Sequence, residues 1–148
     1  MKTNKFLPGS IINNVLVGEN NQLYLHEGNY NQVSFLNGKE VVTSDSKKNF
    51  ISNIHQRKLF ADKLTIPYLH IIVPCKPLVA REDLPSEYRN SLTSIFLRYY
   101  APLLEDRNPI QERVLYPLGA LLRTQVRKDC FWRNDTHINA AGQLTLYR

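Results

Sequence analysis

Ile66-Pro67-Tyr68-Leu69-His70-Ile71-Ile72-Val73-Pro74-Cys75-Lys76 decides the fold class. From Tyr68 to Val73 the run is apolar and carries no acidic or basic charge, with a proline on either side. That composition is expected of a short, buried parallel strand. Upstream, residues 47–64 predict a helix, because Phe50, Ile54, Phe60, Ala61 and Leu64 recur at helical spacing with charges between them. Ser44, Asp45 or Ser46 can cap its start, and Pro67 marks its end. A helix feeding such a strand points to an α/β domain with a central, mostly parallel sheet.

Farther along, residues 86–104 predict a second helix, with Tyr88, Leu92, Ile95, Phe96 and Tyr99 on one face. Arg113 to Tyr116 reads as another short strand. Leu118 to Lys128 reads as a third helix, with Leu118, Leu121, Leu122 and Val126 apolar. Asn139 is a suitable N-cap for a last helix carrying Ala140, Ala141, Leu144 and Tyr147. Apolar residues continue almost to Arg148, so the expectation is a domain truncated within that helix, its C-terminal part missing. In the other direction, residues 1–46 are rich in Asn and Gly and predict short strands and turns. Val15–Val17, Gln22–Leu25 and Gln32–Leu36 are the strand candidates, and Asn20-Asn21 and Asn37-Gly38 the turns, since Asn and Gly tolerate positive φ. Residues 1–148 thus read as a single, incomplete domain: strands and turns over 1–46, the α/β portion over 47–148.

The chain has 148 residues, 43% of them hydrophobic and 22% charged, an ordinary globular composition that can build a core. The net charge of +6 favours an anionic partner. The basic residues are dispersed, however, in two stretches: Lys47, Lys48, Arg57, Lys58 and Lys63, then Arg123, Arg127, Lys128 and Arg133. Without aromatic residues interleaved they read as solvated helix faces rather than a nucleic-acid groove, so no nucleic-acid partner is expected. Cys75 and Cys130 belong to no Cys-x-x-Cys pair, so they are expected as buried free thiols rather than metal ligands or a disulfide framework. After Met-Lys-Thr-Asn-Lys the apolar run of a signal peptide is interrupted by Pro8, Gly9, Ser10, Asn13 and Asn14. No stretch approaches a membrane span of roughly 20 apolar residues. On these grounds the expected compartment is the cytoplasm.

The residues that carry chemistry lie in Trp132-Arg133-Asn134-Asp135-Thr136-His137-Ile138-Asn139-Ala140-Ala141-Gly142. An Asp two residues before a His, just ahead of a capped helix, puts both on a tight loop. The carboxylate can hold the imidazole in one tautomer and stabilise its charged form. The imidazole can then act as general base on a hydroxyl and as general acid to a leaving group. An isolated Asp-x-His also reads as a plain surface loop; the Asn-cap and Ala-Ala-Gly helix behind it raise the case for a site. Asp135 and His137 could contact a metal, but no third ligand stands at a sensible spacing, so no metal is expected. Lys76, just past a strand's carboxyl end, is either a contact to substrate or an oxyanion or a solvated loop lysine. Trp132 could stack on a sugar ring or pack against its own loop. His70 reads as a core histidine, and His26 and His55 have no partner in view.

The sequence resembles the SGNH-hydrolase-like acyltransferases of the alginate O-acetylation family. Three stretches carry the resemblance. Val17-Gly18-Glu19-Asn20-Asn21-Gln22-Leu23-Tyr24-Leu25 is similar to the family's opening strand and turn. Ile66 to Lys76, with Glu82-Asp83-Leu84-Pro85 after it, is similar to a strand followed by a lysine and a downstream Leu-Pro. Val114-Leu115-Tyr116-Pro117 through Asp135-Thr136-His137 is similar to the segment that closes in an Asp-Thr-His signature, and this third stretch is the specific one. The resemblance implies part of an SGNH-like (flavodoxin-like) three-layer domain. It implies O-acyl, most simply acetyl, transfer to polysaccharide or oligosaccharide hydroxyls through a serine acyl-enzyme, with His137 as base, Asp135 as its orienter, an acyl donor and no cofactor. It makes the periplasm the alternative compartment.

Two features depart from the family pattern. Ile138 stands where the family usually has Trp, and the nucleophilic serine, which the family places well downstream of Asp-Thr-His, is not found within the 148 residues. Ordinary SGNH esterases instead carry an early Gly-Asp-Ser and space their Asp and His by three. Ser10 follows Gly9 without the Asp, and Ser44 and Ser46 flank Asp45 where helix capping accounts for them. The expectation is therefore that this chain supplies the Asp/His half of a triad. A carbohydrate esterase and a non-catalytic module that grips an anionic polysaccharide are the alternatives.

Overall fold

The computed structural model describes residues 6–27, 31–105, 110–123 and 127–147, with the backbone alone at 105, 127 and 128. Three short strands open the chain: β1 (Ile11–Ile12), β2 (Val15–Val17) and β3 (Leu23–Leu25). They pair antiparallel in the order β1-β2-β3, with Ile12 opposite Val15 and Leu16 opposite Tyr24. Asn13 and Asn14 make the first turn, both at positive φ, the conformation a two-residue hairpin requires. Asn20 and Asn21, also at positive φ, turn β2 into β3 as their sequence predicts. Leu16 and Tyr24 are fully buried and pack on Leu84, with Tyr88 and Leu92 around them.

Gln32–Leu36, expected as a strand, is instead a short helix, α1. Its buried residues, Val33 and Leu36, are three apart, a helical rather than a strand spacing. Gly38, expected in a hairpin turn, takes a φ of 82° just after this helix. The long helix α2 (Ser44–Lys63) starts one residue before the expected caps: the Thr43 hydroxyl accepts from the Ser46 N–H at 3.1 Å. It ends where Thr65 enters the left-handed region and the Ile66 N–H reaches back to the Ala61 carbonyl at 2.9 Å, ahead of Pro67. Ile54 and Ala61 are its buried residues; Phe60 and Leu64, expected on the same face, are exposed.

Beyond α2 the chain forms β4 (His70–Ile71), which pairs in parallel with β5 (Val114–Leu115), His70 opposite Val114. The protein is thus mixed α/β with small sheets and one parallel pair. Among the described residues parallel pairing is confined to these two strands, and the larger sheet is antiparallel. The apolar run 68–73 also differs from the buried strand expected. Leu69, Ile71 and Val73 are 55%, 41% and 44% exposed, so it alternates between a packed and an open face. The packed side faces a cluster of Ile54, Leu104 and Ile110 flanked by Phe50, Tyr68, Phe96 and Val114.

The single helix expected over 86–104 is broken. After α3 (Lys76–Val79) and a 3-10 turn at Arg81–Asp83, α4 (Ser86–Arg89) stops at Asn90. A new helical segment begins at Ser94, whose hydroxyl accepts from the Leu97 N–H at 3.2 Å. It widens to a π-turn over Phe96–Tyr100, closed by the Ala101 N–H on the Phe96 carbonyl, before α5 (Pro102–Glu105). Pro102 has no N–H to continue the α pattern, and the wider turn precedes it. The third expected helix is shorter than its pattern: α6 covers Leu118–Arg123, residues 124–126 lie outside the described residues, and Arg127–Cys130 is a 3-10 turn. The last helix, α7 (Ala140–Leu146), packs through Leu146 on a cluster of Val79, Leu121, Cys130 and Phe131, which Ile138, just before the helix, also joins. Among the described residues no helix is long and apolar enough to cross a membrane.

Candidate functional site

The loop from Trp132 to His137 is a small hairpin on a buried stem. Phe131 and Ile138 form an isolated antiparallel bridge; the Trp132 N–H donates to the His137 carbonyl at 3.2 Å and the Asn139 N–H to the Cys130 carbonyl at 3.0 Å. Cys130 and Phe131 are buried, so the base of the loop is set in the core while its tip faces outward. Behind it, the Asn139 side chain accepts from the Gly142 N–H at 3.1 Å, capping α7, and donates to the Asp129 carbonyl at 2.6 Å. One side chain therefore ties the helix start to the turn before the loop. Gly142 is needed for closeness: a Cβ there would meet the Ile138 side chain and the Cys130 carbonyl at sub-van-der-Waals distance.

At the tip, Asp135 Oδ1 accepts from the backbone N–H of Thr136 at 2.6 Å, from that of His137 at 3.3 Å and from His137 Nδ1 at 2.8 Å. The bond from the His137 ring, joined by those backbone donors, holds the Asp135 carboxyl below its ordinary range. An ionised carboxylate can only accept, so Nδ1 carries the hydrogen and the Nε2 lone pair is left for an incoming proton. The His137 side chain is 81% exposed, and no other hydrogen bond to it exists among the described residues. A base oriented through Nδ1, with Nε2 open, is the arrangement that proton transfer to and from a hydroxyl requires.

Lys76 stands elsewhere than expected. It is neither solvated nor directed at the surface: the residue is fully buried, and its Nζ donates to the carbonyls of Leu23, Trp132 and Arg133 at 2.8 Å each, with Asp135 O at 3.2 Å. The Tyr24 ring lies 5.1 Å away. Its ammonium is thus committed to the underside of the loop and is not presented to a substrate. Burial lowers its pKa to about 8, against the opposing pull of Asp135 and Asp83. Trp132 lends its backbone to this arrangement while its indole stays 55% exposed. The structure therefore brings Asp135, His137, the Trp132 backbone and Lys76 together in one loop and its support. The signal for Lys76 in the sequence is its place shortly after the 68–73 run, past Pro74 and Cys75; its burial could not be read there.

The remaining candidates lie apart. Ser10 donates to the Leu7 carbonyl at 2.6 Å, and the Ser46 hydroxyl accepts from Thr43. Among the described residues no serine is hydrogen-bonded to His137. Burial and Arg57 lower the pKa of His70, which meets the Tyr68 hydroxyl at 3.1 Å. His26 packs edge-on against Tyr88. The two thiols are unpaired; Cys75, beside Lys76, borders an apolar cavity of about 280 Å³ lined by Phe50, Ile72, Phe96, Tyr100 and Tyr116 among others. In the second basic stretch, the side chains of 127 and 128 lie outside the described residues. Among those described, no three His, Cys, Asp or Glu side chains converge as a metal site. No family model matches the chain, and no curated protein or solved structure is significantly similar to it.

Proposed function

We propose that this chain supplies the acid–base half of a serine acyl-transfer site, and that its reaction is O-acetyl transfer to polysaccharide hydroxyls. One observation carries the reading: His137 Nδ1 is engaged by Asp135 at 2.8 Å while Nε2 remains open. In such a site the Nε2 lone pair takes the proton of a serine hydroxyl as it attacks the acyl donor, forming the acyl-enzyme. The imidazolium then returns a proton to the leaving group. In the second half-reaction the same base deprotonates the acceptor hydroxyl. Asp135 stabilises the imidazolium throughout. The exposure of the loop tip favours a large acceptor, such as a glycan chain, over a small enclosed substrate, and the exposed Trp132 indole offers a sugar ring a stacking face. The serine itself is contributed from outside the hydrogen-bonding reach of His137 in this structure.

The test uses the full-length protein, an activated acetyl ester and an oligosaccharide acceptor. Acceptor acetylation that is lost in His137→Ala supports transfer. Acetate release that ignores the acceptor supports the esterase alternative. Salt-sensitive glycan binding that survives His137→Ala, with neither reaction, supports a binding module and sinks the proposal.

A further inference from the structure

We propose that Lys76 is the positioning residue of the Asp135–His137 dyad, its ammonium acting as an internal cation around which the loop backbone is folded. This rests on the acid–base role assigned to the dyad. Four carbonyls converge on one Nζ, from two parts of the chain: Leu23 on β3, and Trp132, Arg133 and Asp135 in the loop. Three N–H bonds shared among four acceptors leave the ammonium no capacity for another ligand. The Arg133 carbonyl is also taken by the Leu23 N–H at 2.9 Å, so strand and loop are joined both directly and through the lysine. The last of the four acceptors belongs to Asp135 itself. Its carbonyl is held from beneath while its carboxylate, on the other side of the same residue, orients His137.

The charged groups that face Lys76 are Asp135 from the loop and Asp83 from the 81–83 turn, and the Tyr24 ring from β3 adds its π-face. All three favour the charged form, whereas burial opposes it. A neutral amine has two N–H groups and a lone pair. Loss of the proton would therefore leave carbonyls without a donor and set the lone pair against one of them. Loop geometry, and with it the His137 tautomer, is thereby coupled to the protonation of a buried lysine.

The experiment reads geometry and not turnover, so its failure is separable from failure of the acyl-transfer reading. In isotopically labelled protein, the imidazole ¹⁵N shifts of His137 report its tautomer, and the ¹³Cε signal of Lys76 reports its protonation. As pH is raised, the His137 shifts are expected to move from the Nδ1–H tautomer toward Nε2–H at the same pH at which Lys76 titrates, with far-UV circular dichroism unchanged. In Lys76→Met, which keeps the unbranched stem of the side chain and removes the ammonium, the Nε2–H pattern is expected already at neutral pH. A folded Lys76→Met with the wild-type His137 tautomer overturns the proposal. If that variant does not fold, the wild-type titration decides: Lys76 losing its proton with no change at His137 overturns it equally.

Discussion

Asn139→Ala removes one side chain that makes two separate connections. Its oxygen caps α7 by accepting from Gly142 N–H at 3.1 Å, a partly buried bond. Its amide donates to the Asp129 carbonyl at 2.6 Å, where water can substitute. Loss of an Asn cap to Ala costs about 1 kcal/mol in a helix of ordinary context. The second bond, being exposed, falls at the lower end for a neutral hydrogen bond, about 0.5 kcal/mol. The sum is about 1.5 kcal/mol, which for a chain of this size lowers Tm by roughly 3–6 °C. Asn139→Ser keeps an acceptor for the cap and gives up the reach to Asp129, so it is expected to lose about 0.5 kcal/mol. Urea unfolding followed by circular dichroism measures both. Asn139→Ala within about 0.5 kcal/mol of wild type would show that neither bond contributes and that the loop is held by its stem alone, and Asn139→Ser as damaging as Asn139→Ala would show that the cap contributes nothing.

Asp135→Asn keeps an oxygen for the Thr136 and His137 N–H groups but loses the charge. The fold should be retained, with far-UV circular dichroism unchanged, while His137 loses its preference for the Nδ1–H tautomer by ¹⁵N spectroscopy; an unchanged tautomer would refute the orienting role. The Asp135 carboxyl lies below its ordinary range in the fold, so the unfolded chain protonates first as pH falls. The stabilisation is present above the ordinary carboxylate pKa and is lost on descending through the lowered folded value, which a pH titration of the Asp135 carboxyl ¹³C shift should place beneath that of a model peptide. Gly142→Ala gains about 1 kcal/mol of helix propensity but sets a methyl against a backbone carbonyl, an overpacking of about 1–3 kcal/mol. Net destabilisation with a displaced 130–138 stem is expected, and a Tm above wild type would contradict it. Burial pushes the Cys75 thiol up to about 11 and also raises Cys130, so an aromatic disulfide reagent at pH 8 should label both rapidly in denaturant and neither at a comparable rate in the native protein. Fast native labelling of Cys75 would show that its burial is transient.

What the sequence determined by itself was local. Asn139 announced a helix start because its side chain reaches a backbone N–H three residues on, whatever surrounds it. Asn20-Asn21 announced a turn because Asn tolerates positive φ, and Asp135 and His137 announced their contact because two residues of separation on a tight loop leave little choice. Tertiary structure decided everything that depends on what lies across the fold. Val33-Ser34-Phe35-Leu36 suits a strand or a helix by composition, and burial of Val33 with Leu36 selected the helix. The 68–73 run is apolar enough for a strand covered on both faces, yet Leu69, Ile71 and Val73 stay about half exposed. Lys76 shows the difference most directly. A lysine after a strand reads as solvent-facing because its charge is costly to bury. That cost is met here by carbonyls more than fifty residues away in both directions, a set of partners that exists only once β3 and the 132–135 loop have folded against α3.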